Sequence, residues 1–288
     1  SKAARCRSTT GCCTGLRLGA AVKLLHPTAT WADLVLPRDR RDQLREAVDR
    51  LRLQSQVLDD WGFLHGRAGV HGVRLLFSGP PGTGKTLSAE AMASALGTDL
   101  LVVDLSRVMS KWIGETEKNL ATVFDSAERA QAVLFFDEAD ALFGRRTEVS
   151  DAHDRYANLE TAYLLQRLER FDGLAVLATN LRQNIDPAFS RRLEFAIEFE
   201  EPDRGSREAI WRAHVPAAAP LAPDVNFYEL AALYPVVGGL IRNAAVAAAF
   251  LAAADGMPIG RQHLVRAMRR EYDKAGRAFP GPPPGLSL

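Results

Sequence analysis

The run Gly79-Pro80-Pro81-Gly82-Thr83-Gly84-Lys85-Thr86, followed by Leu87, has the spacing GxxxxGK[ST]. Glycines lack a Cβ, so successive backbone N–H groups in such a run can converge on one anion. A helix that opens at its end turns its positive terminus on the same anion. The Lys85 ammonium then serves the β- and γ-phosphates of a nucleoside triphosphate, and the Thr86 hydroxyl serves a bound Mg²⁺. Further along, Phe135-Phe136-Asp137-Glu138-Ala139-Asp140 delivers acids from an apolar run. Asp137 is suited to hold Mg²⁺ through water. Glu138, one residue on, is suited to polarise an attacking water as general base. The two runs together predict binding of ATP with Mg²⁺ and hydrolysis of its terminal phosphoryl.

These residues need a scaffold, and the apolar pattern supplies one. Val73–Ser78, Leu100–Val103, Ala132–Phe136, Leu174–Ala178 and Phe195–Phe199 are short apolar runs without strict alternation. Helical spacing fills Arg38–Leu58, Leu87–Leu96, Glu115–Gln131 and Tyr156–Phe171 between them, and Gly97 is placed to stop the second of these. Strands buried on both faces and separated by helices form a parallel sheet, with the active site at the carboxyl ends of its strands. Thr30–Pro37 reads as an extended approach to this unit. After Glu200-Glu201-Pro202-Asp203 the pattern turns all-helical, over Arg204–His214, Val225–Leu233, Gly239–Ala254 and Gly260–Lys274. The expected organisation is a disordered leader or upstream remnant over 1–27, a large α/β nucleotide-binding domain over 28–202, a small helical lid over 203–275 and a Pro/Gly-rich tail over 276–288.

GPPGTGKT in company with FFDEAD resembles the AAA clade of the AAA+ ATPases, from about Thr28 to Lys274. The resemblance implies a P-loop α/β fold, a parallel sheet sandwiched by helices and followed by a helical lid. It also implies roles residue by residue. Asn180, in Leu177-Ala178-Thr179-Asn180, is similar to the polar sensor that orients the attacking water. Ile185–Leu193 resembles the segment bearing arginine fingers, which complete a neighbour's site in trans. The pair Arg191-Arg192 is similar to that of microtubule-severing relatives and lacks the Arg-Pro-Gly-Arg form, so which arginine acts stays open. Val237–Asn243 matches the second sensor: Gly239 would let the backbone approach adenine or ribose, and Arg242 either contacts phosphate or is a helix-face arginine. Asp33-Leu34-Val35 resembles the strip that flanks adenine.

Lys111-Trp112-Ile113-Gly114 resembles the aromatic–hydrophobic–Gly pore loop of protein-threading AAA motors. By position, Phe143–Arg155 would be a second pore loop and subunit contact; its acids and His153 read as a solvated helix start rather than a metal site. The phrases LFSGPPGTGKT, KWIGETEKNL, SDAHDRYANLETAYLLQRLERFDG and GGLIRNAA are similar to bacterial AAA ATPases encoded with extracellular contractile injection systems. The resemblance implies a homo-oligomer, a hexameric ring, acting on a protein substrate in the bacterial cytoplasm.

Bulk properties narrow the remaining classes. At 47% hydrophobic and 25% charged with net charge +1, the chain has no electrostatic bias toward nucleic acid or membrane. No apolar run approaches a membrane span of roughly 20 residues. The three cysteines, Cys6, Cys12 and Cys13, cluster near the start, so no disulfide is expected to hold the fold. No HExxH occurs, so the zinc protease domain of some AAA motors is not expected. The alternatives are an ATP-switched assembly scaffold with slow hydrolysis and a DNA-directed motor on the same core. Trp112-Ile113-Gly114 and the balanced charge argue against the second.

Overall fold

The computed structural model describes residues 21–63, 71–108, 115–140, 152–181 and 191–286. The expected pore loop Lys111–Gly114, the second loop over 143–151 and most of the segment leading to Arg191 lie outside the described residues.

The α/β part is a six-stranded sheet of β1 (Val22–Leu25), β2 (Val73–Ser78), β3 (Leu100–Asp104), β4 (Val133–Asp137), β5 (Leu174–Thr179) and β6 (Phe195–Glu198), ordered β1-β3-β4-β5-β2-β6. Neighbours from β3 to β6 pair in parallel, whereas β1 pairs antiparallel with β3. Helices cover both faces: α1 (Arg38–Gln54) and α2 (Lys85–Leu96) on one, α4 (Glu115–Ala130) and α5 (Ala152–Arg170) on the other, with the short α3 (Leu105–Val108) after β3. Successive strand residues point to opposite faces, so Phe135 joins Leu44, Val48 and Met92 on the first face while Phe136 joins Leu120, Phe124 and Leu168 on the second. Burial on both faces is why the central strands β2 to β5 read as nearly continuous apolar runs.

The order of strands positions the chemistry. β5 lies between β2, which ends at the glycine run, and β4, which ends at Asp137. A polar residue at the end of β5 therefore stands between phosphate loop and acids, and that residue is Asn180.

The lid consists of α6 (Arg204–His214), α7 (Phe227–Leu233), α8 (Gly238–Ala254) and α9 (Arg261–Lys274). They enclose their own core, with Trp211, Tyr234, Ile241, Leu264 and Met268 fully or almost fully buried. Asp203 caps α6 through the Ser206 N–H at 2.7 Å, which fixes the turn from sheet to lid.

Three expectations need correction. Val22–Leu25, inside the segment expected to be a disordered leader or remnant, is an edge strand; its ladder to Leu100–Val103 gives a four-residue run partners that its own short pattern does not reveal. Trp31–Asp33 is a 3-10 turn rather than extended chain, closed by Thr30 and Asp33 bonding reciprocally. The tail, whose Pro/Gly-rich stretch from Pro280 reads by composition as a disordered tail or linker, is seated on the lid as far as Leu286. Phe279 stacks on Tyr234 at 5.5 Å and meets Tyr272 edge-on at 5.8 Å, and the Tyr234 hydroxyl donates to the Gly281 carbonyl at 3.0 Å. Pro and Gly rule out helix and strand there, but they do not prevent an aromatic from finding an apolar seat.

Candidate active site

The glycine run leaves β2 under tight constraint. The Gly79 N–H donates to the Thr179 carbonyl at 3.2 Å, and Gly79 has φ +138°. A Cβ there would lie 2.0 Å from the Phe199 carbonyl oxygen, so only glycine fits. The run closes at Gly84, φ +102°, which is the N-cap of α2. A Cβ on Gly84 would meet nothing within 4 Å, so the start of α2 faces open space. That space is a cleft of about 450 Å³. N–H groups in the first turn of a helix have no acceptor within it, and here they face a cleft edged by the exposed Thr86. An open, donor-lined helix start of this kind fits a polyphosphate.

Lys85 belongs to the first turn of α2 and is 8% exposed. Its ammonium donates to the Pro80 carbonyl and to Asn180 Oδ1, both at 3.0 Å, and also to the Gly79 carbonyl. Burial holds its pKa below the usual lysine value, opposed by the charges of Asp137 and Asp140. Thr83 closes the loop by donating from its hydroxyl to the Pro80 carbonyl at 2.8 Å.

The acids lie across the cleft. Burial pushes the Asp137 carboxyl above the usual aspartate range, opposed by the Glu138 N–H and by Lys85. That N–H reaches Asp137 Oδ1 at 3.0 Å. A half-buried carboxylate with few donors, beside a hydroxyl and a phosphate seat, suits a hard divalent cation. Glu138 is exposed and has φ +55°, a left-handed conformation that costs a residue with a Cβ about 1–2 kcal/mol. The strain is held by the next residue, whose N–H donates to the Ala178 carbonyl at 2.9 Å and so pins the turn to β5. Lys85, Thr86, Asp137, Glu138 and Asn180 thus line one cleft.

The lid reaches the phosphate loop through backbone. The Gly239 N–H donates to the Gly82 carbonyl at 2.9 Å, and a Cβ on Gly239 would lie 3.2 Å from Gly82 Cα. Gly82, at φ +79°, faces Val237 at a similarly close distance. The glycine at 239 therefore permits a loop-to-lid approach, and it also lines the cleft in which its approach to adenine or ribose is expected. Arg242 is exposed and lines the same cleft.

The site also holds residues that the sequence reading gave no role. His214, at the end of α6, lines the cleft, with its pKa held down by burial and then by Arg242. Asp140 accepts from the Thr179 hydroxyl, from the Asn180 N–H at 2.9 Å and from Asn180 Nδ2 at 3.3 Å. The acid two residues after Glu138 was visible in the sequence, but its partners on β5 were not.

Arg191 and Arg192 are not in this cleft. They precede β6, whose start is level with the start of β2: the Glu194 N–H donates to the Arg74 carbonyl at 3.0 Å, and Leu75 pairs with Phe195. From Arg74 to Gly79 the strand climbs about 16 Å at 3.3 Å per residue, so the arginine pair lies at the opposite end of the sheet from the glycine run. Both arginines are exposed, and Arg192 is ion-paired with Glu169. Beneath them Arg74, 5% exposed, forms a forked pair with Glu194 at 2.6 and 3.1 Å and also donates to the Leu168 and Glu169 carbonyls at the end of α5.

Fold and cleft define a P-loop nucleoside triphosphatase with a helical lid. Residues 75–201 match the family described as "ATPase family associated with various cellular activities (AAA)". Those residues are therefore an AAA ATPase domain. It is 35% identical over 215 residues to the cell division cycle protein 48 homolog of Archaeoglobus fulgidus, covering 71% of this chain and 28% of that protein. It is 34% identical over 218 residues to the ATP-dependent zinc metalloprotease FtsH 3 of Sphaerobacter thermophilus, covering 72% and 42%. It is 34% identical over 221 residues to the vacuolar protein sorting-associated protein 4A of Rattus norvegicus, covering 75% and 48%. The matched stretch thus spans less than half the length of each of these relatives. No helix among the described residues is long and apolar enough to cross a membrane.

Proposed function

We propose that this chain is the motor subunit of a ring that hydrolyses ATP to remodel or thread protein substrates. The backbone of 79–87 and the Lys85 ammonium bind and orient the triphosphate. Mg²⁺, held by Thr86 and Asp137, would supply positive charge to the phosphate oxygens. Glu138 takes the proton of the attacking water, and Asn180 orients that water. Arg242 and Gly239 carry the state of the nucleotide to the lid. Trp112 and Ile113, flanked by Lys111 and Gly114, grip the substrate, because apolar side chains need no matching hydrogen bonds on an extended chain. The likeness to ATPases encoded with contractile injection systems suggests the remodelling of such an assembly.

The observation that carries the ring is the position of Arg191 and Arg192. At the opposite end of β2 from their own glycine run, they are out of reach of their own phosphates, and they are exposed, as an arginine acting in trans must be. An arginine acting in trans supplies charge to a transition state only when subunits assemble. The reading is tested by mixing subunits that carry both Arg191→Ala and Arg192→Ala with subunits carrying Glu138→Gln. Each parent is expected to be inactive, and mixtures are expected to regain phosphate release, because some interfaces then combine an intact base with intact arginines. Absence of rescue at every ratio would overturn catalysis in trans.

A further inference from the structure

We propose that Asp140 is a positioning residue that fixes which end of the Asn180 amide meets Lys85. The inference rests on the reading of Asn180 given above, and it explains how a side chain at a strand end, exposed to solvent, keeps one orientation.

An amide side chain carries an acceptor at one end and two donors at the other, and a rotation about its last bond exchanges them. On one side of Asn180 stands the Lys85 ammonium, which only donates, 3.0 Å from Oδ1. On the other stands the Asp140 carboxylate, which when ionised only accepts, with Oδ2 3.3 Å from Nδ2. The two neighbours impose the same orientation, and the exchanged one would set NH₂ against ammonium and carbonyl against carboxylate. The carboxylate is itself fixed, because its Oδ1 accepts from the Thr179 hydroxyl and from the Asn180 N–H at 2.9 Å. The Thr179 hydroxyl in turn accepts from the Leu181 N–H at 3.1 Å, so the whole end of β5 closes around Asp140. Lys85 alone can be displaced from Asn180 when its ammonium turns to a phosphate. Asp140 is the neighbour that stays, so the amide still presents its oxygen to the cleft when it is needed to orient water.

The test is a charge and amide exchange, read by steady-state phosphate release and by thermal melting of the purified chain. Asp140→Asn keeps the size and can still accept from the Thr179 hydroxyl and the Asn180 N–H. It sets an NH₂ against the Asn180 NH₂, so the amide turns over and faces Lys85 with its donors. We expect kcat to fall 10-fold or more, with KM within about 3-fold of the parent. Asn180→Asp alone sets carboxylate against carboxylate and is expected to lose a similar factor. The double variant Asp140→Asn/Asn180→Asp restores a donor facing an acceptor and an acceptor facing Lys85, and is expected to recover at least 10-fold over either single variant. Should the Asp140→Asn chain melt below the assay temperature, the double variant still decides. Activity no higher than that of Asn180→Asp overturns the proposal, since a merely structural aspartate gains nothing from the exchange. Asn180→Ala separates the two readings. Inactive Asn180→Ala with wild-type kcat for Asp140→Asn overturns the positioning role alone, whereas wild-type kcat for Asn180→Ala overturns the role of Asn180 itself.

Discussion

Replacing Glu194 by Ala isolates the buried pair at the foot of the sheet. Arg74 has a side chain 6% exposed, and Glu194 one 15% exposed, so neither ion retains much water. The guanidinium makes two bonds to that carboxylate and two to carbonyls at the end of α5. Removing the carboxylate leaves a buried cation with neutral partners only, and breaking such a pair from one side costs about 3–5 kcal/mol. A chain of this size has a urea slope of about 2–3 kcal/mol per M, so the unfolding midpoint of the α/β domain should fall by about 1–2.5 M. Near-ultraviolet circular dichroism in urea measures it, with unchanged slope as the control. Because the pair also sets where the chain carrying Arg191 and Arg192 leaves the sheet, Glu194→Ala at permissive temperature should bind nucleotide normally yet lose the ability to support a neighbour's hydrolysis in subunit mixing. A midpoint shift corresponding to under about 1 kcal/mol would show that the pair is solvated in solution and refute the burial argument.

Gly239→Val places branched carbons where a Cβ alone is already 3.2 Å from Gly82 Cα; the lid must withdraw, and ATP affinity measured by a fluorescent analogue should weaken at least 10-fold while Gly239→Ala weakens it less. Asp137→Asn should abolish the Mg²⁺-dependent rise in melting temperature on adding ATP yet melt no lower than the parent without ligand. The sign follows from burial: the folded carboxyl has a raised pKa, so above its unfolded value the ionised form opposes folding, and at neutral pH the amide removes that cost. A lower unliganded melting point for Asp137→Asn would contradict this. Phe279→Ala removes the stack on Tyr234 and Tyr272 and should cost about 1–2 kcal/mol in lid stability, seen as increased proteolysis after the last helix; unchanged protection would mean that the tail is not seated.

The features legible in the sequence were those carried by local pattern. Five of the six strands and four lid helices follow from apolar runs and 3.6-residue spacing, and the glycine run and acidic pair declare their chemistry by residue type. What escaped depends on partners distant in the chain. Val22–Leu25 is too short to announce a strand until β3 lies beside it. Phe279 in a proline-rich tail gives no sign of two tyrosines waiting on the lid. Arg74 reads as a lone charge in an apolar run, and only the register of β2 with β6 sets it level with Glu194. Asp140 looks like one more acid after a strand, and its function emerges once β5 lies beside β4.

The central claim is that Glu138, held on a strained turn above the phosphate seat, activates the water that cleaves ATP. Phosphate release and ATP binding should be measured side by side for the parent chain and for Glu138→Gln with Mg²⁺ present. Loss of a general base lowers turnover by about 10²–10⁴-fold, so the variant should retain ATP with affinity within a few-fold of the parent while releasing phosphate at least 100-fold more slowly. Parental turnover in Glu138→Gln would contradict the account at its root.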